Sequence, residues 1–373
     1  MGNEAFKCLV EEILFPLDVR INGDRPWDIK VLDERLYQRV INSGSLGLGE
    51  AYMDGWWECE SLDEFFSRIL PSDPEKRLKK NLKLIFPTLH ARVRNLGSKA
   101  RAFQVGERHY DLGNELYRNM LDERMVYSCA YWKDARNLGE AQEAKLDLIC
   151  RKLGLKAGQK LLDIGCGWGS LARYAAEKYG AEVVGVTVSQ KQKEWADEAC
   201  RGLSVQIRLQ DYREIRETFD HIVSVGMFEH VGYKNYRTYM EVARKSLKEG
   251  GLFLLHTIGG NTSKVATDAW TGKYIFPNSH IPSIKQIGAS IEKLFVMEDW
   301  HNFGQYYERT LLSWFENFDR NWGVLKDRYD TRFYRMWKYY LLSCAGAFRA
   351  RDLQVWQIVL SRQGMPGGYL AVR

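Results

Sequence analysis

The densest chemistry in the sequence is the run Leu161-Leu-Asp-Ile-Gly-Cys-Gly-Trp-Gly169. Glycines at alternate positions strip the backbone of side chains, so a ligand can approach the main chain where a strand gives way to a helix. Asp163, two residues before the first glycine, is a carboxylate able to engage an ammonium or to fix the loop. A dinucleotide site would show G-x-G-x-x-G and an acid about 20 residues on. Here the next strand ends in Val186-Thr-Val-Ser189 with Gln192 after it, and no carboxylate stands there. The pattern favours an amino-acid-bearing nucleotide, S-adenosylmethionine, over NAD. The plain structural alternative is a tight strand-to-helix turn that binds nothing.

Such a turn works only if a buried strand leads into it and a helix leads out. Lys160–Ile164 reads as that strand and Ser170–Tyr179 as that helix. The rhythm continues with strands at Glu182–Val188, Val205–Leu209, Phe219–Val225 and Gly251–His256. Helices are expected at Ala141–Leu153, Gln190–Cys200 and Tyr236–Leu247. Alternation at this spacing predicts a parallel sheet with helices on both faces. The expected fold class is α/β: a class I S-adenosylmethionine-dependent methyltransferase (Rossmann-like) catalytic domain with a smaller N-terminal α+β domain. Leu353–Leu360 and Tyr369–Arg373 read as closing strands. The stretch from Gly259 to Pro282, with Trp270, Tyr274 and Phe276, suits a loop over a site.

Ahead of this lies a different block. Trp27–Val31 reads as a strand and Asp33–Ile41 as a helix. Gly44-Ser-Leu-Gly-Leu-Gly49 has no lysine and no strand before it, so it reads as a loop and not as a phosphate cradle. Leu62, Phe65, Phe66, Ile69 and Leu70 fall at amphipathic helical spacing, a core- or partner-facing stripe. From Lys76 to Gly106 there are nine Lys or Arg residues and no Asp or Glu, with aliphatic and aromatic residues interleaved. Pro87 breaks that segment. It is either a solvated linker or a surface that draws anionic lipid headgroups while its apolar residues dip below them. Nucleic acid would also suit the charge, but no recognisable nucleic-acid module accompanies it. The resulting division is an N-terminal lipid- or membrane-associating domain at 1–75, a basic amphipathic linker at 76–108 and a Rossmann-like catalytic domain at 109–373.

Bulk properties narrow the class. The balance of 54 basic against 48 acidic side chains is mild, so the location of the excess matters more than its size. No stretch approaches the ~18 uninterrupted apolar residues of a spanning helix. Glu4, Glu11 and Glu12 argue against a signal peptide at the N-terminus. None of the seven cysteines forms a C-x-x-C pair, so neither a zinc site nor a disulfide framework is signalled and no metal is expected. A reducing, cytosolic compartment is the default.

Longer stretches carry a resemblance. GSLGLGEAYMDGWWEC at 44–59, HYDLGNELY at 109–117, YSCAYW at 127–132, LLDIGCGWG at 161–169 and VVGVTVSQKQ at 183–192 resemble the bacterial cyclopropane-fatty-acyl-phospholipid synthases. SVGMFEHVG at 224–232, LLHTIG at 254–259, KYIFPN at 273–278 and CAGAFRARD at 344–352 extend the match over most of the chain. More distantly the chain resembles the mycolic acid cyclopropane synthases, which lack the N-terminal block. The resemblance implies that Tyr127 and Ser128 hold the methionine end of S-adenosylmethionine beside Gly165 and Gly167. Thr187 and Gln192 would serve the ribose, and Asp211 and Tyr212 would border the adenine. Cys129 and Ile258 (through their backbones), Glu229, His256 and Tyr307 would cradle a bicarbonate ion, with Tyr306 the rival to Tyr307. His230 is expected to point away.

The implied reaction moves a methylene from S-adenosylmethionine to the cis double bond of an unsaturated phospholipid acyl chain. An alkene is a weak nucleophile, so alignment with the sulfonium methyl supplies much of the acceleration. Methyl transfer leaves a carbocation, which aromatic faces can stabilise; Trp270, Tyr274, Phe276, Tyr307, Trp314 and Tyr339 are candidate liners or plain core. Ring closure then requires a base within reach and the exclusion of water. Bicarbonate would be that base, with Glu229 accepting from its hydroxyl. The bland readings are a hydrogen-bonded core histidine ending a strand for His256, a helix N-terminal acid for Glu229 and an inert buried thiol for Cys129. The resemblance further implies a homodimer bound peripherally to the inner face of the cytoplasmic membrane. The rival readings are another S-adenosylmethionine-dependent lipid or small-molecule methyltransferase, and a non-catalytic lipid-binding protein.

Overall fold

A computed structural model describes residues 3–72 and 113–373. The basic segment, and with it the expected linker at 76–108, lies outside the described residues. The chain divides into two compact units. The first gathers residues 3–72, 266–277 and 307–353, and the second 113–265, 278–306 and 354–373. These units are discontinuous, where the sequence pattern suggested contiguous pieces. The reason lies in one long helix near the C-terminus, Thr331–Arg349. It buries Trp337, Leu341, Ala345 and Phe348, a stripe at helical spacing with no counterpart in its own neighbourhood of sequence. Its partner is the N-terminal helix Leu62–Ile69, and Gly346 lets the two backbones meet: a Cβ there would lie 2.4 Å from the carbonyl oxygen of Asp63. Arg349 donates to Asp63 Oδ2 at 2.5 Å.

Within the first unit, β1 (Lys30–Val31) pairs antiparallel with β2 (Trp57–Glu58). The expected strand from Trp27 shrinks to two residues. Gly44–Gly49 is not a loop but part of the helix Arg35–Met53, which breaks its geometry only at Gly44. Gly47 and Gly49 are packing notches: an added Cβ would lie 2.3 Å from the Arg39 carbonyl oxygen and 2.4 Å from the Trp270 ring. Tyr52, Trp57, Phe65, Phe66, Trp270 and Tyr339 are buried and pack edge to face or tilted, the Trp270 and Tyr339 centroids 4.6 Å apart.

The second unit is built on seven strands: β3 (Lys160–Ile164), β4 (Glu182–Thr187), β5 (Val205–Leu209), β6 (His221–Val225), β7 (Leu252–Gly260), β8 (Val296–Asn302) and β9 (Leu353–Ser361). Their order is β5-β4-β3-β6-β7-β9-β8. β3 is parallel to β4 and β6, β4 to β5, and β6 to β7; β8 runs antiparallel to β9. Continuous apolar runs such as Leu252–Leu255, buried throughout, are what a strand covered on both faces requires. The helix Leu138–Leu153 precedes them, and Ser170–Tyr179, Gln190–Ala199 and Tyr236–Ser246 fall between them, where the sequence pattern puts them. Asn137 and Ser189 cap two of them by accepting from the amides of Glu140 and Gln192.

Three local expectations change. Residues 369–373 form no strand; the Tyr369 hydroxyl donates instead to the Lys152 carbonyl at 2.9 Å. β7 runs on to Gly260, so His256 sits inside a strand and not at its end. Within the stretch expected to be a loop, Ala269–Tyr274 forms a helical turn, and 266–277 group with the first unit. The strand order reverses direction between β3 and β6. In an open sheet that switch point leaves a crevice beyond the carboxyl ends of the strands.

Candidate active site

The carboxyl ends of β3, β4, β5 and β6 open into a cleft. Tyr127, Ser128, Asp163, Gly165, Gly167, Thr187, Gln192, Asp211 and Tyr212 all line it. Residues far apart in sequence thus face one space because every strand delivers its end to the same edge of the sheet.

The glycine turn forms the floor. The amides of Gly165 and Cys166 both donate to the Val186 carbonyl, at 2.9 and 3.0 Å, which ties the turn to β4. Gly165 has φ +83°, and a Cβ there would lie 2.6 Å from Met227 Cγ. Only glycine satisfies both demands. Asp163 is wholly buried, and burial raises its carboxyl to about 7 against the opposing pull of Lys145. A carboxyl so placed gains a full charge most readily when a cation joins it.

At the end of β4, the Thr187 hydroxyl donates to Gln192 Oε1 at 2.8 Å, and the Ser189 amide donates back to Thr187 Oγ1 at 3.2 Å. Past β5, Asp211 accepts from the Arg213 amide at 2.9 Å and from its guanidinium at 2.7 and 2.8 Å. This clamp fixes the turn that carries Tyr212. On the opposite wall, Tyr127 meets Tyr117 edge-on at 5.3 Å. Ser128 Oγ accepts from Lys145 Nζ at 2.8 Å.

Of the five residues expected around bicarbonate, Cys129, Glu229, His256 and Ile258 belong to the second unit and Tyr307 to the first. Glu229 and Ile258 are joined directly: the Ile258 amide donates to Glu229 Oε1 at 2.7 Å. The resemblance assigns the Ile258 backbone to the ion, and here its amide lies against the carboxylate expected to share that ion. Glu229 Oε2 is buried and makes no hydrogen bond of normal geometry among the described residues, although the Thr257 side chain acts on this carboxyl. Burial raises this carboxyl to about 7, against the amide of Ile258, which lowers it. His256 lies two residues before Ile258 on β7, so their side chains share a face. Burial holds the His256 imidazole well below its ordinary range, helped by Lys145 and Lys152, so it is neutral. Its Nδ1 lies 3.4 Å from Gln357 Nε2. The Cys129 thiol is buried and donates to the Ala130 carbonyl at 3.4 Å. Tyr307 packs tilted against Phe348, ring centroids 4.6 Å apart; Trp270, Trp314 and Tyr339 are buried in the same unit, where Tyr274 and Phe276 are partly buried. Tyr306 falls in the second unit, edge-on to Tyr131 at 5.5 Å.

Two further residues line the cleft. His230, expected to point away, lines the cleft; burial lowers its imidazole to about 4, so it is neutral. Lys145 also lines it. Its signal was legible, because Ala141, Lys145, Leu148 and Lys152 form one stripe at helical spacing, which puts two lysines on a buried face. Among the described residues no group of three or more His, Cys, Asp or Glu side chains could hold a metal ion.

Residues 97–358 match the sequence profile of mycolic acid cyclopropane synthetase. Over 365 residues the chain is 54% identical to the cyclopropane-fatty-acyl-phospholipid synthase of Escherichia coli strain K12, covering 98% of this chain and 95% of that protein. The chain belongs to the mycolic acid cyclopropane synthetase family. Another curated member, cyclopropane mycolic acid synthase 3 of Mycobacterium tuberculosis, is 35% identical over 68% of this chain and 95% of its own length. Among solved structures, the family's mycolic acid cyclopropane synthase CmaA1, complexed with SAH and CTAB, matches with a TM-score of 0.65 and 33% identity, over 69% of this chain and 97% of that one. Coclaurine N-methyltransferase, at 23% identity, shares the fold with a TM-score of 0.70 over 84% of this chain and 98% of that one. The fold is that of the S-adenosylmethionine-dependent methyltransferases, as the sequence pattern leads one to expect.

Proposed function

We propose that the protein is a cyclopropane-fatty-acyl-phospholipid synthase: it transfers a methylene from S-adenosylmethionine to the cis double bond of an unsaturated phospholipid acyl chain, with bicarbonate as the base. The observation that carries this reading is Glu229, a wholly buried carboxyl with one oxygen held by a backbone amide and the other making no hydrogen bond of normal geometry among the described residues. Buried polar atoms are seldom left so unless a ligand completes them. Identity to the Escherichia coli synthase over nearly the whole chain supports the choice of substrate.

The residues present fit both groups. The glycine turn and Asp163 suit a nucleotide bearing an ammonium, and the open oxygen of Glu229 suits a small oxyacid. S-adenosylmethionine would supply the electrophilic methyl, and bicarbonate a carboxylate-like acceptor for the proton lost on ring closure. Tyr127 and Ser128 would orient the methionine end, Thr187 and Gln192 the ribose, and Asp211 and Tyr212 the adenine edge. Glu229, with its carboxyl near 7, would share a proton with the oxyacid and so avoid two adjacent anions. Cys129 and Ile258 through their backbones, with His256 and Tyr307, would complete the cradle. Aromatic side chains would exclude water from the cation formed on the acyl chain.

The same proposal includes peripheral attachment to the inner face of the cytoplasmic membrane through residues 1–75 and the basic segment at 76–108, a homodimer, and residues 109–373 as the catalytic part. Among the described residues no helix is long and apolar enough to cross a membrane. The decisive experiment incubates the protein with unsaturated phospholipid vesicles and methyl-labelled S-adenosylmethionine. Label in a lipid heavier by one CH₂ and resistant to hydrogenation at the former double bond supports the reading. A methylated but still olefinic lipid assigns the protein to a sister methyltransferase chemistry, and an unlabelled lipid removes the reading.

A further inference from the structure

Lys145 takes no part in the methylene transfer proposed for the cleft. It stands on the buried stripe of the helix Leu138–Leu153 and is 1% exposed. An ammonium carries three donors, and taking it out of water is expensive unless they are used. Among the described residues its only hydrogen-bond partner is Ser128 Oγ, at 2.8 Å. No described carboxylate comes close enough for an ion pair, although Asp122 and Asp163 act on Lys145 through space. Two donors of a buried cation are thus unused, and the side chain lines the same cleft as Gly165 and Tyr127.

The surroundings are built to hold this arrangement. Gln142, one turn earlier on the same helix, donates to the Ser128 carbonyl at 2.9 Å and to the Val126 carbonyl at 3.3 Å. Asp122 accepts from the amides of Arg124 and Val126 at 3.0 and 2.9 Å, which fixes the turn leading to Ser128. Because Ser128 Oγ accepts from Lys145, its own proton is left to donate elsewhere. Asp163 supplies the opposite charge in the same cleft.

We propose that Lys145 is the carboxylate-recognition residue of the cleft: with the Ser128 hydroxyl it clamps the α-carboxylate of an amino-acid-bearing nucleotide, while Asp163 faces the ammonium of the same zwitterion. The proposal rests on reading the cleft as the S-adenosylmethionine site and adds the determinant that selects for the amino-acid end.

The test measures equilibrium binding to the full-length protein of two probes, S-adenosylhomocysteine and 5′-methylthioadenosine, which lacks the amino acid. Lys145→Met weakens S-adenosylhomocysteine by about 10- to 100-fold, the loss expected for hydrogen bonds to a charged group, and leaves 5′-methylthioadenosine within about threefold. Lys145→Met binding S-adenosylhomocysteine like the parent, or losing both probes equally, overturns the proposal. Should Lys145→Met fail to fold, Lys145→Gln and Ser128→Ala are measured against the same two probes: a selective loss of S-adenosylhomocysteine supports the clamp, and an equal loss or none overturns it. A parent protein that binds both probes with equal affinity overturns the proposal alone; one that binds neither removes the cofactor reading together with it.

Discussion

Replacing Glu229 with glutamine separates the charge of that side chain from its shape. The parent carboxyl rises from an ordinary 4.5 to about 7 in the folded chain, because burial disfavours the anion more than the Ile258 amide favours it. The folded state therefore holds this proton over a pH range in which the unfolded chain has released it. Stability carries no penalty from Glu229 below about pH 4.5 and loses ground as pH rises toward 7. Above that the penalty is complete, at roughly 3 kcal/mol from ~1.4 kcal/mol per pH unit. Glutamine never ionises. Its oxygen can accept from the Ile258 amide where Oε1 does now, leaving its NH₂ at the position of Oε2. Glu229→Gln is thus expected to be more stable than the parent at pH 8 by up to about 3 kcal/mol, the difference fading toward pH 4.5. Over the same range its turnover falls by about 10²- to 10⁴-fold, the usual worth of a positioned proton acceptor, and added bicarbonate no longer accelerates it. Urea unfolding at pH 5 and pH 8 reads the first effect, and label transfer to lipid with and without bicarbonate reads the second. Equal stability of parent and variant at pH 8 would refute the assigned burial of charge. Undiminished, bicarbonate-dependent turnover would remove Glu229 from the base site.

Other perturbations probe the frame. Gly165→Ala forces a Cβ toward Met227 Cγ, where 2.6 Å is available, at φ +83°; calorimetry should show S-adenosylhomocysteine binding lost and stability reduced by roughly 1–3 kcal/mol. Asp28, held down to about 2 chiefly by the Arg25 guanidinium, contributes stability above its ordinary 3.8 that disappears as pH falls through 2. Asp28→Asn should therefore lower stability by roughly 2 kcal/mol at pH 7 and match the parent below pH 2 in denaturant titrations. Gly346→Val puts branched carbon against the Asp63 carbonyl, 2.4 Å from the site of a Cβ; a loss of about 3 kcal/mol or more in thermal unfolding is expected, and a neutral result would contradict the close helix approach.

The catalytic half was legible because its signals are local. Buried parallel strands are short aliphatic runs, and the glycine turn states its own position, so β3, β5 and the helix Ser170–Tyr179 fall at the residues the pattern names. What escaped depends on partners far away in sequence. Gly47 and Gly49 look like a loop until Trp270 fills the notch they leave. The helix Thr331–Arg349 joins the first unit because Leu62–Ile69 offers a face that nothing near residue 331 discloses. β8, Val296–Asn302, carries Glu298, Asp299 and His301 among its apolar residues and so lacks a strand signature. In the site, the cofactor-facing residues could be named from motif and resemblance. Lys145 belongs to none of those motifs, and only its place on the apolar stripe sets it apart from the solvent-facing lysine a helix normally carries.

Lys145 and Glu229 share a logic that links stability to occupancy. Each is charged or chargeable, each is fully withdrawn from water, and each keeps hydrogen-bonding capacity that no described residue uses. A protein selected only for stability would replace such groups with apolar ones of similar volume, which is commonly neutral or favourable. Their retention at the carboxyl edge of the sheet means that the folded chain alone is not the state in which they are satisfied. A ligand that supplies an anion to Lys145 relieves part of that burden, and its binding free energy contains the relief. The cleft is thus stabilised by what it binds, and selectivity follows from the same source, because an analogue lacking the matching charge leaves the buried group as exposed to its own desolvation as before.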